Sequence, residues 1–190
     1  MKLQEYISRG KTEMELTEDI DIMEENRTLS VLVENSAGVL TRISGLFSRR
    51  GYNIKSLAVG ETEDPQISRM TIIVECGERF LTQVVQQLLK QVCVRKVEVL
   101  SPQKSISREL LLVKVSTTTQ TRSQVIEIAN IFRAHIIDVS TVSLTLEITG
   151  EADKADAIID MLNEYGIIEV VRTGTVALER GGGSIYEADR

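Results

Sequence analysis

The sequence predicts an α+β protein built from two ferredoxin-like βαββαβ units in tandem. Three observations carry this expectation. Short Val- and Leu-rich runs alternate with stripes of apolar residues at helical spacing, in the order β-α-β-β-α-β. A break containing Pro102, Ser101 to Ser107, is followed by the same order again. Each half has about 70 residues, near the lower end of what one domain needs, and 190 residues hold two such halves.

Met1 to Asn26 precedes the pattern. It holds 3 basic and 8 acidic side chains, so it carries −5 of the chain's −6. Met14, Leu16, Ile20, Ile22 and Met23 give only weak periodicity, and a flexible acidic arm is expected rather than a short helix. Thr28 to Val33 is a strand by its Leu and Val content. Asn35-Ser36-Ala37-Gly38 is a turn that can open a helix, and Val39, Ile43, Leu46 and Phe47 form one helical face. Arg49, Arg50 and Gly51 suit the helix end: cations near the negative pole, then a residue that accepts positive φ. Asn53 to Val59 and Ile67 to Glu75 are strands joined through Pro65. Leu81, Val84, Val85 and Leu88 mark the next helix, and Val92 to Leu100 is the fourth strand.

After the linker at residues 101–107, Leu110 to Val115 is a strand, and Val125, Ile128, Ala129 and Phe132 mark a helix. Ala134 to Val139 and Leu144 to Ile148 are strands. Ala155, Ile158, Ile159 and Leu162 mark the last helix, and Ile167 to Val171 closes the unit. Residues 181–190, starting with three glycines, read as a flexible tail. In each unit both helices should pack on one face of an antiparallel sheet of order 4-1-3-2. So small a unit gains from pairing between chains.

Composition excludes several classes. The longest unbroken apolar run, Leu110 to Val113, is far short of the roughly 18 residues of a membrane span. Outside the arm 19 basic side chains face 20 acidic ones, so no cationic footprint for nucleic acid or an anionic membrane is expected. No signal- or transit-peptide pattern is visible, and an intracellular, reducing compartment is expected. Cys76 and Cys93 fall on strands separated by a third. Two strand spacings, about 9.6 Å, exceed disulfide reach, so two free thiols are expected. With His135 as the single histidine, no zinc set is expected.

Support for catalysis is thin. His135 has no nucleophile motif beside it, and neither a P-loop nor a GxGxxG is present. Glu61, Glu63 and Asp64 read as a solvated hairpin. The informative segment is Glu34 to Thr41, ENSAGVLT. It leads from a strand into a helix N-terminus, where free amides and the helix dipole favour an anion. No Lys or Arg lies in the turn, so a small carboxylate suits it better than a polyphosphate. Asn35 adds a donor and an acceptor. On spacing alone the simpler account comes first: Asn35 and Ser36 cap the helix, and Gly38 relieves sterics. The matching turn of the second unit, Ser116 to Arg122, reads STTTQTR and has no glycine, which suggests a ligand turn in the first unit only.

Residues Arg27 to Leu100 resemble an ACT domain, the small regulatory module that binds amino acids. RTLSVLVENSAGVLTRISGLFSRRGYNIKSLAVG and ISRMTIIV, with RELLLVKV, IFRAHIIDVS, LEITG and VVRTGTVAL further on, resemble the small regulatory subunits of acetolactate synthase. The resemblance implies an N-terminal ACT domain at 27–100 and a C-terminal ACT-like domain at 108–180. It implies a chain without catalytic activity, catalytic residues, metal or cofactor of its own. The expected partner is the catalytic large subunit, which would carry thiamine diphosphate, Mg and FAD. The small subunit would activate that partner and confer feedback inhibition by valine first, or by leucine or isoleucine.

The resemblance further implies a homodimer with the effector between two chains. One chain would supply Asn35, Gly38, Val39, Leu40 and Thr41, and the other Asn53 and Ile54. Turn amides would hold the carboxylate, asparagine oxygens the ammonium, and Val39 and Ile54 the aliphatic side chain. A cytoplasm or a plastid stroma fits such a protein. The rival is an ACT-type sensor subunit that serves a different metabolic enzyme. An RNA-binding module and an acylphosphatase share the βαββαβ order. The first needs aromatics on the central strands and the second a cationic phosphate cradle; neither is present.

Overall fold

A computed structural model describes residues 25–186. The expected arm up to Glu24 and the last four residues of the expected tail lie outside the described residues. The described chain forms two compact units, residues 25–101 with 184–186, and residues 102–183.

The first unit runs β1 (Glu25–Glu34), α1 (Val39–Arg49), β2 (Ile54–Glu61), β3 (Ile67–Cys76), α2 (Glu78–Leu89) and β4 (Val94–Leu100). Its sheet is antiparallel with order β2-β3-β1-β4, the order expected. Period-2 alternation turns Leu29, Val31 and Val33 of β1 and Met70, Ile72 and Val74 of β3 to one face. The apolar stripes of both helices cover that face: Val39, Ile43, Leu46 and Phe47 from α1, and Leu81, Val84 and Leu88 from α2. Each large aliphatic or aromatic side chain so buried contributes about 1.5–3 kcal/mol. Phe47, Tyr52 and Phe80 extend the core in edge-to-face contacts, with ring centroids 6.3 and 6.2 Å apart.

Neither Cys76 nor Cys93 is in a disulfide and both are buried, but the spacing argument understated their separation. Cys76 pairs with Glu25 at one end of β1, while Val94, next to Cys93, pairs with Val33 near the other. Eight residues of antiparallel strand are about 27 Å. β3 and β4 run in the same direction, so the end of one is remote from the start of the other.

The second unit runs β5 (Ser105–Ser116), α3 (Arg122–Ile131), β6 (His135–Val139), β7 (Ser143–Gly150), α4 (Ala152–Leu162), β8 (Ile167–Arg172) and β9 (Val176–Glu179). Its strand path is β6-β7-β5-β8. Leu111, Val113 and Val115 of β5 and Leu144, Leu146 and Ile148 of β7 meet Val125, Ile128, Ala129, Ala155, Ile158 and Leu162 from the two helices. β9 was not anticipated. It pairs with the first part of β5, from Ser105↔Glu179 to Arg108↔Val176, so the strand begins inside the stretch read as a linker. Arg172 joins β8 to its neighbours through the buried carboxylate of Glu109 and through Asp156 at 2.6 Å. Burial opposes the charge of Arg172, and the two carboxylates outweigh it, holding the guanidinium above its ordinary range.

The two units end their first helices alike. Tyr52 N–H donates to Phe47 O and Gly51 N–H to Ser48 O, with Gly51 at φ 72°. Ala134 N–H donates to Ala129 O and Arg133 N–H to Asn130 O, with Arg133 at φ 52°. Both are the paired bonds that close a helix through a left-handed residue.

Candidate functional site

The turn between β1 and α1 is held from three sides by backbone bonds. Glu34 N–H donates to Cys93 O at 2.8 Å, Asn35 N–H to Gln66 O at 2.7 Å, and Ser36 N–H to Glu34 O at 3.0 Å. The chain enters the helix through Gly38 at φ 83°, ψ −6°, a left-handed conformation that L side chains rarely adopt. An added Cβ there would meet nothing within 4 Å, so backbone conformation rather than space selects glycine.

The first intrahelical bond is Arg42 N–H to Gly38 O at 3.0 Å. The amides of Leu40 and Thr41 therefore precede the helical ladder. No side chain caps this helix, so the capping account of Asn35 and Ser36 does not hold. Asn35 reaches elsewhere. Its Nδ2 donates to Glu61 Oε1 at 3.1 Å and to Pro65 O at 3.0 Å, both in the β2–β3 hairpin. Among the described residues nothing accepts from the Leu40 and Thr41 amides, and they lie at the positive pole of the helix. Chemically, an arrangement of this kind suits a carboxylate.

The structure brings Asn35, Gly38, Leu40 and Thr41 together at the exposed N-terminal end of α1. Val39 belongs to the same turn, but its side chain is buried in the unit's own core, so only its backbone is available there. Asn53 and Ile54 lie past the other end of the helix. The 11 residues of α1 put about 16 Å of helix between the two groups. Asn53 is exposed, and Ile54 is half-buried against the core. One chain thus does not unite the two halves of the expected effector site.

Sequence reasoning missed Glu61 as a neighbour of Asn35. The two are 26 positions apart, and no spacing rule connects them. The expected strand order did contain a signal, since it sets the end of the first strand beside the start of the third and hence beside the hairpin. The corresponding turn of the second unit is closed by its own side chains. Thr118 Oγ1 accepts from the amides of Gln120 and Thr121, and Thr118 N–H donates to Thr121 Oγ1 at 2.9 Å. Among the described residues no group of three or more His, Cys, Asp or Glu is placed to hold a metal, and no helix is long and apolar enough to cross a membrane.

Comparison with known proteins covers both units. The family model described as "AHAS small subunit-like ACT domain" matches residues 29–96, and "Small subunit of acetolactate synthase" matches residues 108–181. The chain is 49% identical over 154 residues to a probable acetolactate synthase small subunit of Archaeoglobus fulgidus, covering 81% of this chain and 96% of that protein. It is 51% identical over 154 residues to the acetolactate synthase small subunit of Mycolicibacterium smegmatis, covering 81% and 91%. Among solved structures, the acetolactate synthase small subunit of Thermotoga maritima superposes with a TM-score of 0.78 at 37% identity, covering 84% of this chain and 99% of that one.

Proposed function

The chain belongs to the acetolactate synthase small-subunit family, with the regulatory role its ACT domain implies, and from that premise we propose that it is a non-catalytic subunit governing a catalytic large subunit. It activates that partner and makes it sensitive to a branched-chain amino acid, with valine first and leucine and isoleucine as alternatives. The thiamine diphosphate, Mg and FAD of the reaction belong to the large subunit. The bacterial and archaeal relatives favour the cytoplasm over a plastid stroma.

The observation that carries the effector reading is the uncapped N-terminus of α1, entered through Gly38 at positive φ and flanked by Asn35. The amides of Leu40 and Thr41 take the effector's carboxylate. Asn35 meets the ammonium. Because Asn53 and Ile54 are a helix length away, a second copy supplies them, and the site lies between the two ACT domains of a homodimer. Ile54, half-buried and next to exposed Asn53, lines the aliphatic side chain of the ligand. Leu40, 46% exposed, can do so from the turn.

A ligand shared by two chains changes the dimer only as far as its affinities for two arrangements differ. A coupling of about 1–3 kcal/mol, typical of allosteric pairs, corresponds to about a 5- to 150-fold change in apparent affinity. The test is reconstitution with an acetolactate synthase large subunit, comparing wild type with Gly38→Asp. Aspartate tolerates the left-handed region better than most residues, and its carboxylate would occupy the first-turn amides and repel the ligand. Activation is expected to persist while valine inhibition disappears. Retained inhibition would remove the site from this turn. No activation of the large subunit despite amino-acid binding would assign the chain to a different enzyme.

A further inference from the structure

We propose that Glu61 is a positioning residue of the effector site, fixing Asn35 so that it meets the ligand as a hydrogen-bond acceptor. The proposal rests on the effector reading above and adds a residue to it. Both partners of Asn35 Nδ2, the Glu61 carboxylate and the Pro65 carbonyl, can only accept. The amide nitrogen must therefore face them, and the orientation of the side chain follows from chemistry. Two acceptors at 3.1 and 3.0 Å engage both hydrogens and define the amide plane. With the Pro65 bond alone the amide could swing about it.

The group left over is Oδ1, to which nothing donates among the described residues. An acceptor in that place selects a ligand that donates, as an ammonium group does. The ligand is thereby oriented, with its carboxylate toward the α1 amides and its ammonium toward the hairpin.

Glu61 is well supported for this task. It ends β2 in register with Ser68 of β3. The hairpin beyond it is pinned by Thr62 N–H to Ile67 O at 3.0 Å, Ile67 N–H to Asp64 O at 2.9 Å, and Gln66 N–H to Asp64 Oδ1 at 2.9 Å. The Gln66 carbonyl returns to Asn35 through its backbone amide. Asn35 is thus tied to the hairpin at its main chain and at its side chain, and the exposed Glu61 carboxylate is the one side-chain member of that attachment.

The test is calorimetric titration of the full chain with L-valine, alone and with the large subunit, in wild type, Glu61→Ala and Glu61→Gln. Glu61 is exposed, so both variants should fold. Losing one hydrogen bond at the held amide should weaken valine binding about three- to tenfold in Glu61→Ala. Glu61→Gln keeps an acceptor oxygen and should return to within about twofold of wild type. That recovery separates positioning from a general disturbance of the hairpin. Wild-type affinity in Glu61→Ala would overturn the proposal and leave the effector site intact. Equal loss in both variants would also overturn it, since the effect would then lie in the charge alone. No valine binding by wild type under either condition would overturn the effector reading and this proposal together.

Discussion

The β1–α1 turn of the first unit and the β5–α3 turn of the second occupy the same place in the same fold, and two of their backbone attachments correspond. Glu34 N–H to Cys93 O corresponds to Ser116 N–H to Gly166 O, and Asn35 N–H to Gln66 O corresponds to Thr117 N–H to Val142 O. Each turn also sends a side chain to the facing hairpin. In the first it is Asn35, a neutral amide on Glu61 and Pro65. In the second it is Arg122, whose Nη2 donates to the carbonyls of Ser140 and Thr141, both at 2.7 Å.

The difference lies in what remains unsatisfied. Thr118 and Thr121 turn their hydroxyls onto the second turn's own backbone, which closes it. The matching bonds set Ser36 in the place of Thr118 and Val39 in the place of Thr121, and among the described residues neither side chain bonds the first turn's backbone. The scaffold is shared. On the effector reading, a few side chains at the turn decide which of the two is available to a ligand.

That comparison can be broken most severely at Arg122. Arg122→Met removes charged hydrogen bonds to two carbonyls and should destabilise the second unit by about 2–3 kcal/mol, read as a shift in the urea midpoint. Asn35→Ala removes two exposed bonds, one to the Glu61 carboxylate and one to the Pro65 carbonyl, and should cost only about 1 kcal/mol by the same measurement. Its larger effect should be on valine binding. A cost equal to that of Arg122→Met would mean that Asn35 is chiefly structural.

Thr118→Ala removes the hydroxyl that accepts from the Gln120 and Thr121 amides and should cost about 1 kcal/mol in chemical denaturation. It should confer no valine site, because the position still lacks an Asn35 equivalent. The smallest effect is at the helix ends. Arg133 and Gly51 share one left-handed role, so Arg133→Gly should stabilise by about 0.5–1 kcal/mol and Gly51→Ala should destabilise by about 1 kcal/mol, both read as thermal midpoints.

Much of the fold was legible because its causes are local. The α1 stripe Val39, Ile43, Leu46 and Phe47 is buried as its periodicity implies, and Gly51 sits at the positive φ its place after two arginines suggested. β9 was illegible for a physical reason. Its four residues carry no pattern of their own, and its partner is the Ser-rich start of β5, about 70 positions earlier in chain order. The glycine of the candidate turn stood out in the sequence, and so did its absence from the second turn. The Asn35–Glu61 bond did not, because it joins two loops that only the sheet order makes neighbours.

The central claim is that the first turn receives the effector and the second does not. Hydrogen exchange of the full chain with and without valine tests it most directly, since both turns are read in one experiment. The account predicts slower exchange at residues 38–42, and at 53–54 where the second copy completes the site, with no change at residues 116–122. Equal protection at both turns, or protection confined to the second, would contradict it.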